Sequence, residues 1–293
     1  MRNAFADHMM NLSKDKNNIF LTGDLGFMAL EGVQESFGDR FINCGVSEQN
    51  MIGVAAGLAK SGYSVFAYSI APFIYARPFE QIRNDIALPN LPVCLVGNGG
   101  GYAYGYMGPT HHALEDLSAM SSLGLEVLVP AFDNDIKEML NNSKGPSYLR
   151  LGYEMLPENC KVPNYSSWRN IYDGPNGVAI ALGPMTGIVW DAILDLPKDK
   201  RPSLWSVTDL DMNNIPIEFF DGILDKDLFI YEEHIQKGGL GMNLAYEIAS
   251  KQANLKSFNH RYAFGYPKNK FGSQNFHRKQ SSLDKKSIIN DLL

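Results

Sequence analysis

The chain has 293 residues, 45% hydrophobic and 20% charged, with a net charge of −6; this length accommodates two ordinary domains, and the composition excludes a disordered chain. The three cysteines, Cys44, Cys94 and Cys160, are far apart, which excludes a disulfide framework and a paired-cysteine zinc site. The opening MRNAFADHMM has no signal-peptide core and no 18-residue apolar run follows, so a cytoplasmic chain that spans no membrane is expected.

In chain order, residues 18–24 (NIFLTGD) read as a β-branched and aromatic strand, and 40–45 (RFINCG) as a second. Residues 47–60 place Met51, Val54, Ala55 and Leu58 on one side, the spacing of a helix. There follow a strand at 63–69, a helix at 74–88, an apolar strand at 91–98, a helix at 112–122, a strand at 125–130, a helix at 133–142 and a strand at 146–152. This alternation predicts crossover units and a mostly parallel sheet, and strands apolar throughout predict helices on both faces.

Residues 153–176 break the pattern with Pro, Asn and turn-forming pairs and read as a linker region. A second α/β pattern follows: strand 177–183, helix 185–196, strand 203–210, a helix opened by Pro216, strand 227–234, helix 240–251 and a last strand at 256–264. The tail from 265 is polar and looser, with a final helix at 284–291. The expected architecture is α/β: two three-layer domains with mostly parallel sheets, at 1–155 and 177–293, joined by a linker at 156–176.

Charge is uneven. Residues 251–293 hold nine basic and two acidic groups on an otherwise acidic chain. Such a tail suits nucleic acid, a phosphate-facing or partner-facing surface, or simply dispersed solvated lysines.

In parallel α/β domains ligands meet the carboxyl ends of strands and the helix starts that follow. Glu48, in GVSEQNMIGVAAGLAKSG, stands at such a start; it is either a helix-end carboxylate placed near the positive pole or a chemical group. The run GNGGGYAYGYMGPTHH (97–112) is a long flexible loop after an apolar strand. Its glycine spacing matches neither a dinucleotide fingerprint nor a P-loop. Its far edge carries His111 and His112, which suit substrate binding or proton transfer better than metal ligation, or are solvated. YSIAPFIYARPFEQIRND (68–85) gathers Tyr68, Phe73, Tyr75 and Phe79 around Arg77, either as core or as a platform for a flat cofactor ring. YEEHIQKGGLG (231–241) reads as a domain contact or as an anion site at a helix start. Arg150, in YLRLG, is a buried-strand cation or a phosphate clamp.

Together FINCGVSEQNMIGVAAGLAKSG, FEQIRNDIALPNLPV, GPTHHALEDLSAM, GPSYLRLG and YEEHIQKGGLG resemble the carboxyl-terminal half of transketolase, or the small subunit of a split transketolase. The resemblance covers nearly the whole chain and implies a pyrimidine-binding domain followed by the transketolase carboxyl-terminal domain. It implies that Glu48 hydrogen-bonds a pyrimidine nitrogen of thiamine diphosphate, favouring the imino form that takes the thiazolium proton, so that a two-carbon ketol unit passes from a ketose to an aldose. It makes Phe73, with Tyr68, the cofactor-stacking rings; Ile70 stands where many relatives have another phenylalanine. His111 matches the histidine of the family's Thr-His-Gln stretch as a catalytic and substrate-binding group. His112 replaces the glutamine, a departure that bears on substrate choice, and Arg150 matches an arginine near the substrate's distal anion.

The family holds the cofactor's diphosphate through a divalent metal bound by Gly-Asp-Gly and a later Asn. Here TGDLGF (22–27) lacks that signature, and no metal ligand is assigned to this chain. The resemblance therefore implies a separately encoded diphosphate-binding partner that holds most of the Mg2+ or Ca2+, in a heterotetramer of two small and two large chains. Sugars or sugar phosphates are the expected substrates, with neither nucleic acid nor membrane as partner. A 2-oxoacid dehydrogenase-type beta chain, a deoxyxylulose phosphate synthase component and a non-catalytic assembly or regulatory component are the alternatives.

Overall fold

The computed structural model describes residues 1–26, 28–266 and 271–293. Phe27 of the TGDLGF stretch and residues 267–270 of the tail read as loose lie outside the described residues.

The first sheet contains β1 (Asn18–Thr22), β2 (Phe41–Asn43), β3 (Ser64–Ile70), β4 (Val93–Asn98), β5 (Glu126–Leu128) and β6 (Ser147–Leu151). Their order is β2-β1-β3-β4-β6-β5, and every pairing is parallel. Successive side chains alternate faces. Ile19, Leu21, Val65, Ala67, Val93 and Leu95 pack with Met51, Ile52 and Ala55 of the helix Glu48–Lys60. Phe20, Phe66, Tyr68, Cys94 and Val96 pack on the other face with Phe5 and Met9 of the helix Arg2–Leu12. Covered on both faces, β1 and β6 are buried at every position.

The second sheet contains β7 (Trp168–Tyr172), β8 (Val178–Leu182), β9 (Ser203–Val207), β10 (Asp227–Tyr231) and β11 (Ser257–Arg261), in the order β11-β10-β8-β9-β7. All its pairings are parallel except β7 with β9. β7 lies within the stretch read as linker. Its five residues are interrupted by a register shift between Asn170 and Tyr172, too short and irregular to stand out from the Pro- and Asn-rich sequence around it.

The helices Arg2–Leu12, Glu31–Phe37 and Gln274–Gln280 had no counterpart in the pattern reading. The helix expected at 74–88 is broken around Arg77 and Pro78 into Ala71–Ala76 and Phe79–Gln81, the latter continuing as a π-helical turn, Ile82–Ala87. Pro78 removes a backbone donor and crowds the preceding turn, which accounts for the break. The helix expected at 112–122 starts only at Asp116, because Pro109–His111 form a separate 3-10 turn.

The main apolar bodies are arranged in layers. One covers the outer face of the first sheet and one the outer face of the second. The middle one is continuous and draws on both: Leu21, Leu95 and Tyr148 join Ile180, Leu228 and Ile230. Two polar ties reinforce this junction. Arg169 of β7 donates at 2.8 Å to both carboxylate oxygens of Asp135 in the first half, and Val129 N donates to Thr208 O at 2.7 Å. Among the described residues no helix is long and apolar enough to cross a membrane.

Among the described residues, four of the tail's cations are paired with carboxylates: Lys256 with Asp227, Arg261 with Asp291, Arg278 with Glu233, and Lys285 with Asp191 and Asp195.

Candidate active site

Three loops meet at the carboxyl ends of β2, β3 and β4. After β2 the chain turns at Gly45, whose φ of +70° favours glycine, and Ser47 Oγ donates to Cys44 O at 2.7 Å. Ser47 therefore does not cap the helix that follows. Glu48 opens that helix and is 4% exposed. The helix end favours its charge, but its side chain turns away from the backbone: Oε1 accepts a hydrogen bond from Arg77 Nη1 at 2.7 Å.

Arg77 follows the short helix after β3, and its guanidinium carbon lies 3.6 Å from the centre of the Phe73 ring. His111, at the end of the glycine-rich loop after β4, meets the edge of the same ring, with centroids 5.1 Å apart and planes at 62°. Thr110 Oγ1 and His111 Nδ1 lie 2.9 Å apart. Partial burial, and then the charge of Arg77, hold the His111 pKa below the ordinary histidine value, which favours the neutral imidazole. Glu48, Phe73 and His111, drawn from separate stretches of sequence, thus share one cluster. Arg77 is its fourth member. The sequence reading gave it no role, although it is the cation at the centre of the aromatic segment.

Three other sequence-derived candidates lie elsewhere. Tyr68 is 2% exposed and packs against Phe5 and Phe20, its ring stacked on Phe5 at 6.0 Å. Strand alternation puts it with Phe66, on the sheet face opposite the Glu48 helix, which corrects its assignment as a cofactor-stacking ring. His112 is buried beside Tyr102 and His277, with centroids 5.2 and 4.9 Å away, and does not share the surface of His111. Arg150 is buried as well. Its Nε lies 3.2 Å from Asp116 Oδ2, and its Nη2 donates to Ala113 O at 2.7 Å and Glu233 O at 2.9 Å. Its charge is thus neutralised inside the chain, where it joins the two halves. Neither side chain joins the cluster of Glu48, Phe73 and His111: Arg150 is held by partners within the fold, and His112, whose Nε2 lies 3.4 Å from Gly105 O, keeps a buried Nδ1 without a partner among the described residues.

The donor set has the chemistry an aminopyrimidine would need, a carboxylate for one nitrogen and a flat face to lie on. Glu48 and Phe73 are groups of those kinds, and Arg77 now occupies both, at 2.7 Å from Oε1 and 3.6 Å from the ring centre. A Cβ built on Gly23 would lie 3.9 Å from Glu48 Oε1 and 3.8 Å from Ser69 Oγ. That Ser69 oxygen is buried without a hydrogen-bond partner among the described residues. Among the described residues no three His, Cys, Asp or Glu side chains are gathered to hold a metal ion.

The first parallel sheet thus carries a carboxylate, an aromatic ring and a histidine at its strand ends, where α/β domains place their ligands. Residues 1–157 match the family described as "Transketolase, pyrimidine binding domain", and the chain belongs to the transketolase family. It is 29% identical over 255 residues to an apulose-4-phosphate transketolase subunit of Phocaeicola vulgatus, covering 82% of this chain and 80% of that protein. It is 32% identical over 231 residues to the protein of the same name from Actinobacillus succinogenes, covering 75% and 74%. Among solved structures it is similar to a "Split gene transketolase, inactive beta4 tetramer", with a TM-score of 0.80, 26% identity, and 99% and 96% of the two chains covered.

Proposed function

We propose that this chain is the small subunit of a split, thiamine diphosphate-dependent transketolase, transferring a two-carbon ketol unit from a ketose donor to an aldose acceptor. The convergence of Glu48, Phe73 and His111 at the strand ends carries this reading. The relatives named as transketolase subunits favour it over a 2-oxoacid dehydrogenase or deoxyxylulose phosphate synthase role.

Glu48 takes the part of the carboxylate at the pyrimidine nitrogen, and Phe73 offers the face on which that ring rests. When bound, thiamine diphosphate supplies the electron sink for breaking and forming carbon–carbon bonds. His111, its pKa lowered by burial and by Arg77, presents a ring nitrogen to the substrate's oxygen atoms and can accept or donate a proton there. Arg77 fixes the Glu48 carboxylate and contributes to keeping His111 uncharged.

The lack of Gly-Asp-Gly in TGDLGF motivates assigning diphosphate and metal binding to a second polypeptide, with Mg2+ or Ca2+ held there. A cytoplasmic heterotetramer of two small and two large chains is the assembly proposed. Within the small chain, 1–155 is read as the pyrimidine-binding domain and 177–293 as the transketolase carboxyl-terminal domain. A phosphorylated sugar is the proposed donor, by analogy with the relatives named for apulose 4-phosphate.

The test is to co-purify the chain with its companion and supply thiamine diphosphate, magnesium and a panel of ketose phosphates or pyruvate with aldose acceptors. Two-carbon transfer from a ketose phosphate by the complex, and none by the single chain, is expected. Turnover only with pyruvate, or robust transfer by the rigorously purified single chain, overturns the proposal.

A further inference from the structure

The loop that carries His111 runs from the end of β4 to a bridge in which Gly101 and Ala113 pair. Glycines at 99, 100, 101, 105 and 108 give it a wide conformational range, so something must hold it if His111 is to keep one orientation. The groups that hold it come from the far end of the chain.

Glu233, just beyond β10, is the hub. Its Oε1 accepts from Tyr102 N at 2.6 Å and from Gln274 Nε2 at 2.9 Å, and its Oε2 pairs with Arg278. Tyr102 OH donates to Gly265 O at 2.7 Å, and its ring stacks on His277 at 5.0 Å and 18°. His277 Nε2 and His112 Nε2 lie 3.3 and 3.4 Å from the same acceptor, Gly105 O. Gly105 itself abuts the start of the tail helix. A Cβ there would come within 2.5 Å of Gly272 O and 2.9 Å of Gln274 N, both backbone atoms.

We infer that Glu233 and the helix Gln274–Gln280 are positioning elements for His111: they clamp the glycine-rich loop so that the imidazole faces the substrate. This gives the basic tail a task. Arg278 is an internal strut, and the helix serves as an abutment for the loop. It also explains His112, which anchors the loop from inside, one residue away from the histidine on the surface. The inference rests on the reading of His111 as a substrate contact. Misplacing a reacting or binding group by about 1 Å costs on the order of 100-fold in rate, so a modest loosening of this clamp has a measurable effect.

The experiment uses the two-chain complex and three variants. Gly105→Ala wedges the loop away from the tail helix, Gln274→Ala trims a half-buried member of the clamp, and His111→Ala removes the group being positioned. Hydrogen–deuterium exchange of the loop peptide, kcat and KM for the ketose phosphate donor, and thiamine diphosphate affinity are measured for each. Gly105→Ala and, more weakly, Gln274→Ala are expected to speed exchange in residues 99–112. They are also expected to raise donor KM and lower kcat/KM by roughly 10- to 100-fold for Gly105→Ala, with cofactor affinity unchanged. Wild-type exchange and donor KM in both variants overturn the clamp. Should Gly105→Ala prevent folding, Gln274→Ala decides by the same two readouts. If His111→Ala leaves donor kinetics untouched, the His111 assignment fails, and the exchange data still decide whether the tail holds the loop.

Discussion

Replacing Glu48 by glutamine separates the two things its carboxylate does. Structurally, it accepts one hydrogen bond from Arg77 at 2.7 Å, and a glutamine oxygen can accept the same bond. The side chain of Arg77 is 41% exposed, so water screens the ion pair and relieves the guanidinium when the charge is lost. Such a pair contributes about 0.2–1 kcal/mol, which for a chain of this size lowers Tm by only a few degrees. Chemically, a glutamine cannot hold and release a proton at a pyrimidine nitrogen, and loss of a positioned acid–base group costs on the order of 10²- to 10⁴-fold in rate. That is roughly 3–5 kcal/mol of transition-state stabilisation, several times the structural effect. The assay is two-carbon transfer by the reconstituted complex at saturating cofactor, with Tm measured in parallel. Activity within about threefold of wild type would refute the role given to Glu48. An equal loss in Arg77→Leu, where the carboxylate survives, would mean that Glu48 matters mainly as an anchor for the arginine.

Arg77→Leu carries a second expectation. Burial and then Arg77 depress the His111 pKa, so removing the cation raises it while burial keeps it below the ordinary value; histidine NMR titration reads the shift, and a fall or no change contradicts the geometry. Asp209 supplies a stability test. Burial pushes its pKa up to about 6 from 3.8, and it is 8% exposed. The folded state binds this proton more tightly than the unfolded chain does, so its contribution is present below about pH 4 and lost as pH rises through about 6. Two units correspond to roughly 3 kcal/mol at most. Asp209→Asn, which keeps the acceptor for Asp211 N, should therefore stabilise the chain at pH 7.5 and have little effect at pH 4. Denaturant melts at the two pH values check this, and a variant destabilised at pH 7.5 contradicts it.

The parallel strands were legible because burial on both faces leaves an unbroken apolar run, as in LPVCLVGN (91–98). The proximity of Glu48, Phe73 and His111 was legible for a related reason: each follows a strand end, where parallel folds place their ligands, while the roles proposed for them came from the family resemblance. The Tyr68 assignment failed on parity. It shares a sheet face with Phe66 and Val96, and counting alternate residues from the apolar face of the Glu48 helix would have excluded it. His112 and Arg150 lie away from that cluster for a different reason. Their neighbours are at 105, 113, 116, 233 and 277, and no local pattern joins those positions. The helix Gln274–Gln280 is seven residues long, with His, Arg and Lys in its last turn, and it packs on a loop in the other half of the chain. Nothing in its own composition marks it as more than polar tail.

The middle apolar body, to which Leu21 and Ile180 both belong, limits how this molecule can move. A gaping motion between the halves would wet that shared interior, so the two sheets behave as one block. Entry and exit at the strand ends must then depend on displacement of a surface segment or on adjustment against a neighbouring polypeptide. For the same reason, cutting the chain within 156–176 would yield two fragments, each with an uncovered oily side, and not two modules ready for transplantation.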